Sequence, residues 1–331
     1  MRRFCLLFLA PLALAVALYC ALLVLAFGQE VRGNQAICWI VGLVQQKSRG
    51  ASLLEGRKVL FIGGSATHYG LRAGLFTGRT GLQAYNFGTN AGLGLPYLLE
   101  EAKGVLKPGD VAVLLPEFIL YHGETVDEVF SKVTFSRGST FPLSLPWPKL
   151  VTWLRNIGPA HLLRGALRRL APRPGEVACS DSAVLTAQGD VARYFTESLQ
   201  PREFQQSLDQ AQHDLSLWID PSGGDPAAHP PARALKAFKA WCDARGIVVL
   251  ASYPNVYFDP EWAARPSFHK YLEGIEALYR ADNIPFLGDF ASACYPRELF
   301  LETHYHLGPQ GAARRTEDFA RLFCAATTLC R

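Results

Sequence analysis

The chain has 331 residues, 49% of them hydrophobic and 19% charged, with a formal net charge of +4 at pH 7. That length holds a sizeable core in one large domain, or in one domain with an insertion, and the composition excludes a disordered chain. The small net charge, the lack of a long basic run and the lack of zinc-finger spacing give no support to nucleic-acid binding.

Arg2 and Arg3 precede an uncharged apolar stretch from Phe4 to Phe27. As a helix rising about 1.5 Å per residue, that stretch reaches about 36 Å, enough to cross a hydrocarbon core of about 30 Å. The pair of arginines predicts a cytoplasmic N-terminus, with everything after Phe27 outside, in the periplasm or beyond an inner (cytoplasmic) membrane. A cleaved signal peptide is the alternative, because Ala26-Phe27-Gly28 offers small residues at a suitable offset. Secretory apolar regions usually run only about 7–15 residues, however, so an uncleaved anchor over residues 1–27 is the expectation.

Residues 28–56 read as a juxtamembrane stalk with a short apolar patch from Ala36 to Val44. Lys58-Val-Leu-Phe-Ile-Gly-Gly-Ser65 is a short apolar run ending in glycines, the pattern of a buried parallel strand followed by a tight turn. A helix is expected over 66–77, a strand and a glycine-rich loop over 84–90, and a helix over 96–106. Further along come a strand over 111–115, a helix over 232–245 ending at Gly246, a strand over 247–252 and a helix over 267–282. A short strand over 285–289 and a final helix over 309–325, with Pro309 in its first turn, complete the pattern. Alternating strands and helices imply βαβ units and a three-layer α/β/α domain around a mostly parallel, flavodoxin-like sheet, spanning residues 57–331. Residues 122–230, rich in proline and poor in periodicity, read as an insertion that covers the site or meets a partner.

Eight cysteines are present. Cys5 and Cys20 lie in the anchor. The other six would face an oxidising space in which disulfides persist, with Cys324 and Cys330 the first pair to expect from proximity. No CxxC spacing occurs, so zinc-site and thioredoxin-like readings lack support, and no motif calls for a cofactor or a metal.

In open α/β sheets, ligands bind at the carboxyl ends of strands. Gly63-Gly64-Ser65, Asn86 to Gly94, and Pro116-Glu117 stand at such ends. A serine on a strand-to-helix turn sits where backbone N–H groups can meet an oxyanion; the same Gly-Gly-Ser turn also suits a helix N-cap or a phosphate loop. The loop Phe300-Leu-Glu-Thr-His-Tyr-His-Leu-Gly-Pro-Gln-Gly311 precedes the last helix and returns to the same edge. A neutral imidazole there accepts the serine proton, oriented by Glu302 or Asp289. His304 and His306 form a His-x-His pair, but no third metal ligand is evident.

The order of these blocks resembles the SGNH/GDSL hydrolase superfamily, and within it the membrane-anchored extracytoplasmic branch similar to DltD and the alginate-acetylation proteins. The stretches that carry the resemblance are 61–70, 86–94, 107–118 and 302–311. It implies Ser65 as nucleophile, His306 rather than His304 as base, and Glu302 as acid, one residue further from the histidine than the family's usual aspartate. It also implies Gly92 as an oxyanion N–H and Asn90 as a side-chain donor. The family's Gly-x-Asn after the third strand is absent, and Glu117 stands near its place. A carboxylate there is protonated, orients another group, or belongs to a different chemistry. The implied function is an extracytoplasmic serine esterase or O-acyltransferase working on acyl groups of a cell-envelope glycan or polymer. The alternative is a non-catalytic accessory protein on the same fold that binds a polymer or a membrane-bound acyltransferase.

Overall fold

The computed structural model of the chain describes residues 2–30, 34–121, 126–171, 179, 184–193, 204–209, 230–257 and 264–330, with the backbone alone for 2–8. Parts of the expected insertion, at 122–125, 172–178, 180–183, 194–203 and 210–229, lie outside the described residues. The chain divides into two compact units, a smaller one of Met1–Gln45 and Val126–Ala183 and a larger one of Gln46–Thr125 and Val184–Arg331.

The larger unit is α/β, as expected. Five strands, β1 (Val59–Ile62), β2 (Ala84–Asn86), β3 (Val111–Leu114), β4 (Val248–Ser252) and β6 (Phe286–Leu287), form one parallel sheet in the order β2-β1-β3-β4-β6. That is the flavodoxin-like order, whose switch point lies between β1 and β3. A separate two-stranded ribbon pairs β5 (Val256–Tyr257) with β7 (Cys294–Tyr295). β1 and β3 are unbroken apolar runs because both of their faces are buried. Val59, Phe61, Val111 and Val113 join Phe76 of α4 (Ala73–Thr80) and Phe319 and Phe323 of α11 (Pro309–Ala326) in one cluster. Phe61 meets Phe76 edge to face at 5.0 Å, and Phe76 meets Phe323 at 5.3 Å. α5 (Leu95–Lys103) packs against α9 (Pro230–Asp243), and α10 (Pro266–Ala281) packs on β6.

The helix expected over 66–77 is two helices, α3 (Ser65–Gly70) and α4, broken at Leu71-Arg72. Two buried side chains explain the break. Asn86 Nδ2 donates to the carbonyls of Thr67, His68 and Leu71, closing α3. Asp190 accepts from the N–H groups of Ala73 (2.6 Å) and Gly74 (2.9 Å), starting α4 as a distant cap. Lys47, wholly buried, joins the two by donating to Asn86 O at 2.7 Å, Asn86 Oδ1 at 3.2 Å and Gly189 O at 2.6 Å.

The smaller unit is helical. It contains α1 (Arg2–Ala26), the first part of α2 (Gln35–Leu53), α6 (Glu128–Ser136), α7 (Trp147–Ile157) and α8 (Pro159–Leu170). Within the stretch read as a stalk, residues 35–53 are helical, with Ile37, Ile40, Val41, Leu43 and Val44 buried. α1 holds a window, Leu9–Ala26, long and apolar enough to cross a membrane and hardly buried within the protein. α8 packs along α1, and Gly165 lies so near its end that a Cβ would sit 2.8 Å from Ala26 Cβ. This unit is built from two distant chain segments, and the disulfide Cys38–Cys179 ties one to the other. The expected Cys324–Cys330 disulfide is also present, in the larger unit.

Candidate active site

Ser65 is the first residue of α3, three residues past the end of β1, at the carboxyl edge of the sheet. Glu117 follows β3 across the switch point. Its carboxylate is fully buried and grips the turn on both sides of the serine: Oε2 accepts from Gly64 N–H at 2.9 Å and Oε1 from Ala66 N–H at 2.7 Å. Burial holds the Glu117 pKa above the ordinary value, although these N–H groups and His306 oppose it. Of the roles open to this residue, the one the geometry displays is orientation, since the carboxylate accepts and fixes the backbone around Ser65. Only glycine fits at position 64, because a Cβ there would lie 2.5 Å from Glu117 Oε1 and 2.7 Å from Ala91 N. Gly88 is held in the same way, since a Cβ would meet His68 N at 2.3 Å.

His306 lies in the loop before α11, and Glu302 Oε1 is 2.6 Å from its Nδ1. The four-residue spacing therefore brings this carboxylate to the imidazole. The backbone forms a tight turn: the His306 N–H reaches Thr303 Oγ1 at 3.1 Å, and the Leu301 N–H reaches His306 O at 2.7 Å. Asn255 Nδ2 donates to Tyr305 O at 2.6 Å, and Tyr257 N–H to His304 O at 2.9 Å, so β5 and its approach hold the loop. Burial pushes the Glu302 carboxyl up, but the hydrogen bond and charge of His306 outweigh it, and the net shift is down.

Tyr69, one helical turn after Ser65, packs against His306 with ring centroids 4.5 Å apart and the rings tilted by 37°. α3 therefore links the serine turn to the histidine. No hydrogen bond joins Ser65 to His306, and neither the Ser65 hydroxyl nor His306 Nε2 bonds to any described residue. Burial and the nearby Glu302 push the Tyr69 hydroxyl up to about 12, so it stays protonated.

The remaining expected residues fall as follows. Asn90 Oδ1 accepts the Gly92 N–H at 2.9 Å, so that N–H is already engaged. The Ala91 N–H, packed against Gly64, donates to no described residue, and neither does the Ser65 N–H. Asp289 accepts from Ser292 N–H at 2.9 Å within its own turn and is not a partner of His306. His304 is buried, and its Nδ1 is bonded to the Ser207 hydroxyl. Burial and the charge of His306 lower its pKa to about 3, so it stays neutral. Sequence reasoning missed Tyr69, Ala91 and Asn255. Tyr69 was the findable one, standing at i+4 from Ser65 on a helical turn. No family model matches the chain, and no curated protein matches it.

Proposed function

We propose that the chain is a membrane-anchored serine esterase or O-acyltransferase of the SGNH type, acting outside the cytoplasm on acyl groups of a cell-envelope glycan or polymer. The observation that carries this reading is the Glu302–His306 pair, whose imidazole packs against Tyr69 of the same short helix that begins with Ser65. With Nδ1–H donated to Glu302, His306 presents Nε2 as the acceptor, the tautomer a general base requires. In the reaction, Ser65 Oγ attacks the acyl carbonyl and passes its proton to Nε2. The C–O bond to the leaving alcohol breaks, and that alcohol takes the proton back. Water or an acceptor hydroxyl then repeats the sequence on the acyl-enzyme. The Ser65 and Ala91 N–H groups, with Asn90 Nδ2, are the donors for the oxyanion. The two disulfides support an oxidising compartment for both units, in keeping with Arg2 and Arg3 on the cytoplasmic side.

A second reading is supported by a specific observation. The Gly64 and Ala66 N–H groups are spent on Glu117, the Gly92 N–H is spent on Asn90, and Ser65 and His306 are not joined. An accessory protein that binds a polymer or a membrane-bound acyltransferase needs no free oxyanion donors. Labelling of the full chain in membranes with a serine-reactive fluorophosphonate separates the two. The enzyme reading expects labelling that Ser65→Ala abolishes and Glu302→Gln slows. An unlabelled wild-type chain would put the accessory reading in front.

A further inference from the structure

We infer that the smaller unit makes a second membrane contact, through a face of α7 and α8 that lies on the anionic surface of the bilayer; the inference rests on reading α1 as a membrane span. Residues 141–170 hold Lys149, Arg155, Arg164, Arg168 and Arg169 and no Asp or Glu, a formal +5 within a chain whose total is +4. All other residues together therefore net −1. The same stretch concentrates exposed apolar side chains. Outside α1, ten large hydrophobics are exposed among the described residues, and six of them are Leu143, Trp147, Val151, Leu163, Leu167 and Leu170. Isolated exposed leucines are ordinary on a soluble surface, but this clustering beside cations is not.

Helical phase sorts the side chains. Leu163, Leu167 and Leu170 recur at i, i+4 and i+7 along one stripe of α8, and Trp147 and Val151 are at i and i+4 on α7. The other side of α8 carries buried His161, Leu162, Gly165 and Ala166 and packs on α1. Gly165 meets Ala26, the last residue of α1, so the exposed stripe runs beside the point where the span ends. Only Gly158 separates α7 from α8. Arg168 is partly tied down, donating to Glu30 O at 3.0 Å and lying 3.8 Å from the Glu30 carboxylate, but the stretch supplies no carboxylate of its own. An apolar stripe flanked by cations on α8, next in the chain to a helix that exposes a tryptophan, is the composition of helices lying in a lipid interface. Continuity with the span and the one-sided charge point to anionic lipid as the occupant.

The test reconstitutes the full chain into vesicles of brominated phosphatidylcholine, with or without about a third brominated phosphatidylglycerol, and reads tryptophan quenching; Trp147→Phe isolates the contribution of Trp147. The inference expects Trp147 to be quenched in the anionic vesicles, and Lys149→Glu/Arg169→Glu or high salt to remove about half of that quenching or more. Arg169 is exposed and Lys149 half-buried, and Leu163→Glu/Leu167→Glu, at two exposed leucines, gives an independent check with the same expected loss. Quenching unchanged by Trp147→Phe, or equal in neutral and anionic vesicles, would overturn it. So would a Trp147 that is unquenched in pure lipid yet crosslinks to a protein in native membranes. Carbonate extraction keeps the failures apart. A chain released by carbonate removes the span and the inference with it, whereas a retained chain with unquenched Trp147 removes the inference alone.

Discussion

In the larger unit Lys47, Lys58, Asp110, Glu117, Asp190 and Arg315 are buried, each bonded to backbone or to an opposite charge. In the smaller unit no Asp, Glu, Lys or Arg is buried among the described residues, and leucines and a tryptophan stand exposed beside cations. Burying charge is expensive and rarely adds net stability over an apolar core, so its repeated use in one unit calls for a reason. In the larger unit the reason is position. Lys58 and Asp110 pair at 2.6 Å where β1 and β3 begin, while Glu117, Lys47 and Asp190 fix the turns at the other end of the sheet. In the smaller unit the carboxylates that hold backbone stay partly exposed, as where Asp127 accepts from Phe130 N–H to start α6, and the two chain segments are joined covalently.

That contrast is broken most directly at the disulfides. The Cys38–Cys179 link closes a loop with a sequence separation of 141, against 6 for Cys324–Cys330. Loop-closure entropy alone gives about 5 kcal/mol for the first and about 2.2 kcal/mol for the second. Cys38→Ser/Cys179→Ser is therefore expected to cost about twice as much as Cys324→Ser/Cys330→Ser in denaturant unfolding, with hydrogen exchange rising in α6, α7 and α8. Equal losses would mean that the smaller unit does not depend on its staple.

Lys47→Met tests the buried-charge side of the comparison. It leaves Asn86 O and Gly189 O without the ammonium donor and takes the opposite charge from the Asp190 carboxylate, while Asn86 Oδ1 keeps the Gly88 N–H, so a loss of about 3–5 kcal/mol is expected, read by urea unfolding. A loss under about 1 kcal/mol would show that the three hydrogen bonds do little. Glu117→Ala should cost less, about 2–4 kcal/mol, by leaving the Gly64 and Ala66 N–H groups without acceptors. Glu117→Gln keeps one acceptor oxygen and should recover part of that loss. Full recovery of stability without recovery of fluorophosphonate labelling would assign Glu117 to the chemistry as well as to the turn.

Much of the larger unit was readable because its strands are continuous apolar runs and its helices are punctuated by residues with fixed meaning: Gly246 stands past the end of α9 with φ +66°, and Pro309 is in the first turn of α11. The place of Ser65 just past β1 and the approach of Glu302 to His306 within one loop were readable for the same reason. The break at Leu71 was not, because Asp190, more than a hundred residues later, sets it. Nor was the grip of Glu117 on Gly64 and Ala66, which exists only once β1 and β3 are adjacent. In the insertion, Pro148 and Pro159 suggested irregular chain, yet both occupy first turns, where a missing N–H costs nothing, and amphipathic helices follow them. The Cys38–Cys179 pair lay beyond any argument from proximity.

Glu302→Gln is the smallest perturbation to stability and the sharpest test of what an exposed charge does in the larger unit. The Glu302 side chain is 43% exposed, unlike the six buried charges, so its ion pair with His306 is screened, and a stability change within about 1 kcal/mol is expected. Its folded-state pKa lies below the ordinary 4.5, because the His306 hydrogen bond outweighs the opposing effect of burial. The small stabilisation it gives is therefore present above pH 4.5 and lost as pH falls through the lowered folded value. Melting temperatures across an acid pH series should show that loss in the wild type and not in the variant. The rate tells more. A glutamine at 302 can turn its NH2 toward Nδ1, which places the imidazole proton on Nε2, the atom that accepts from Ser65 in the proposed reaction. Acyl turnover is then expected to fall by about 10²–10⁴-fold with the fold intact. A variant that turns over as fast as wild type would remove Glu302 from the mechanism and leave its bond to His306 as a feature of the loop alone.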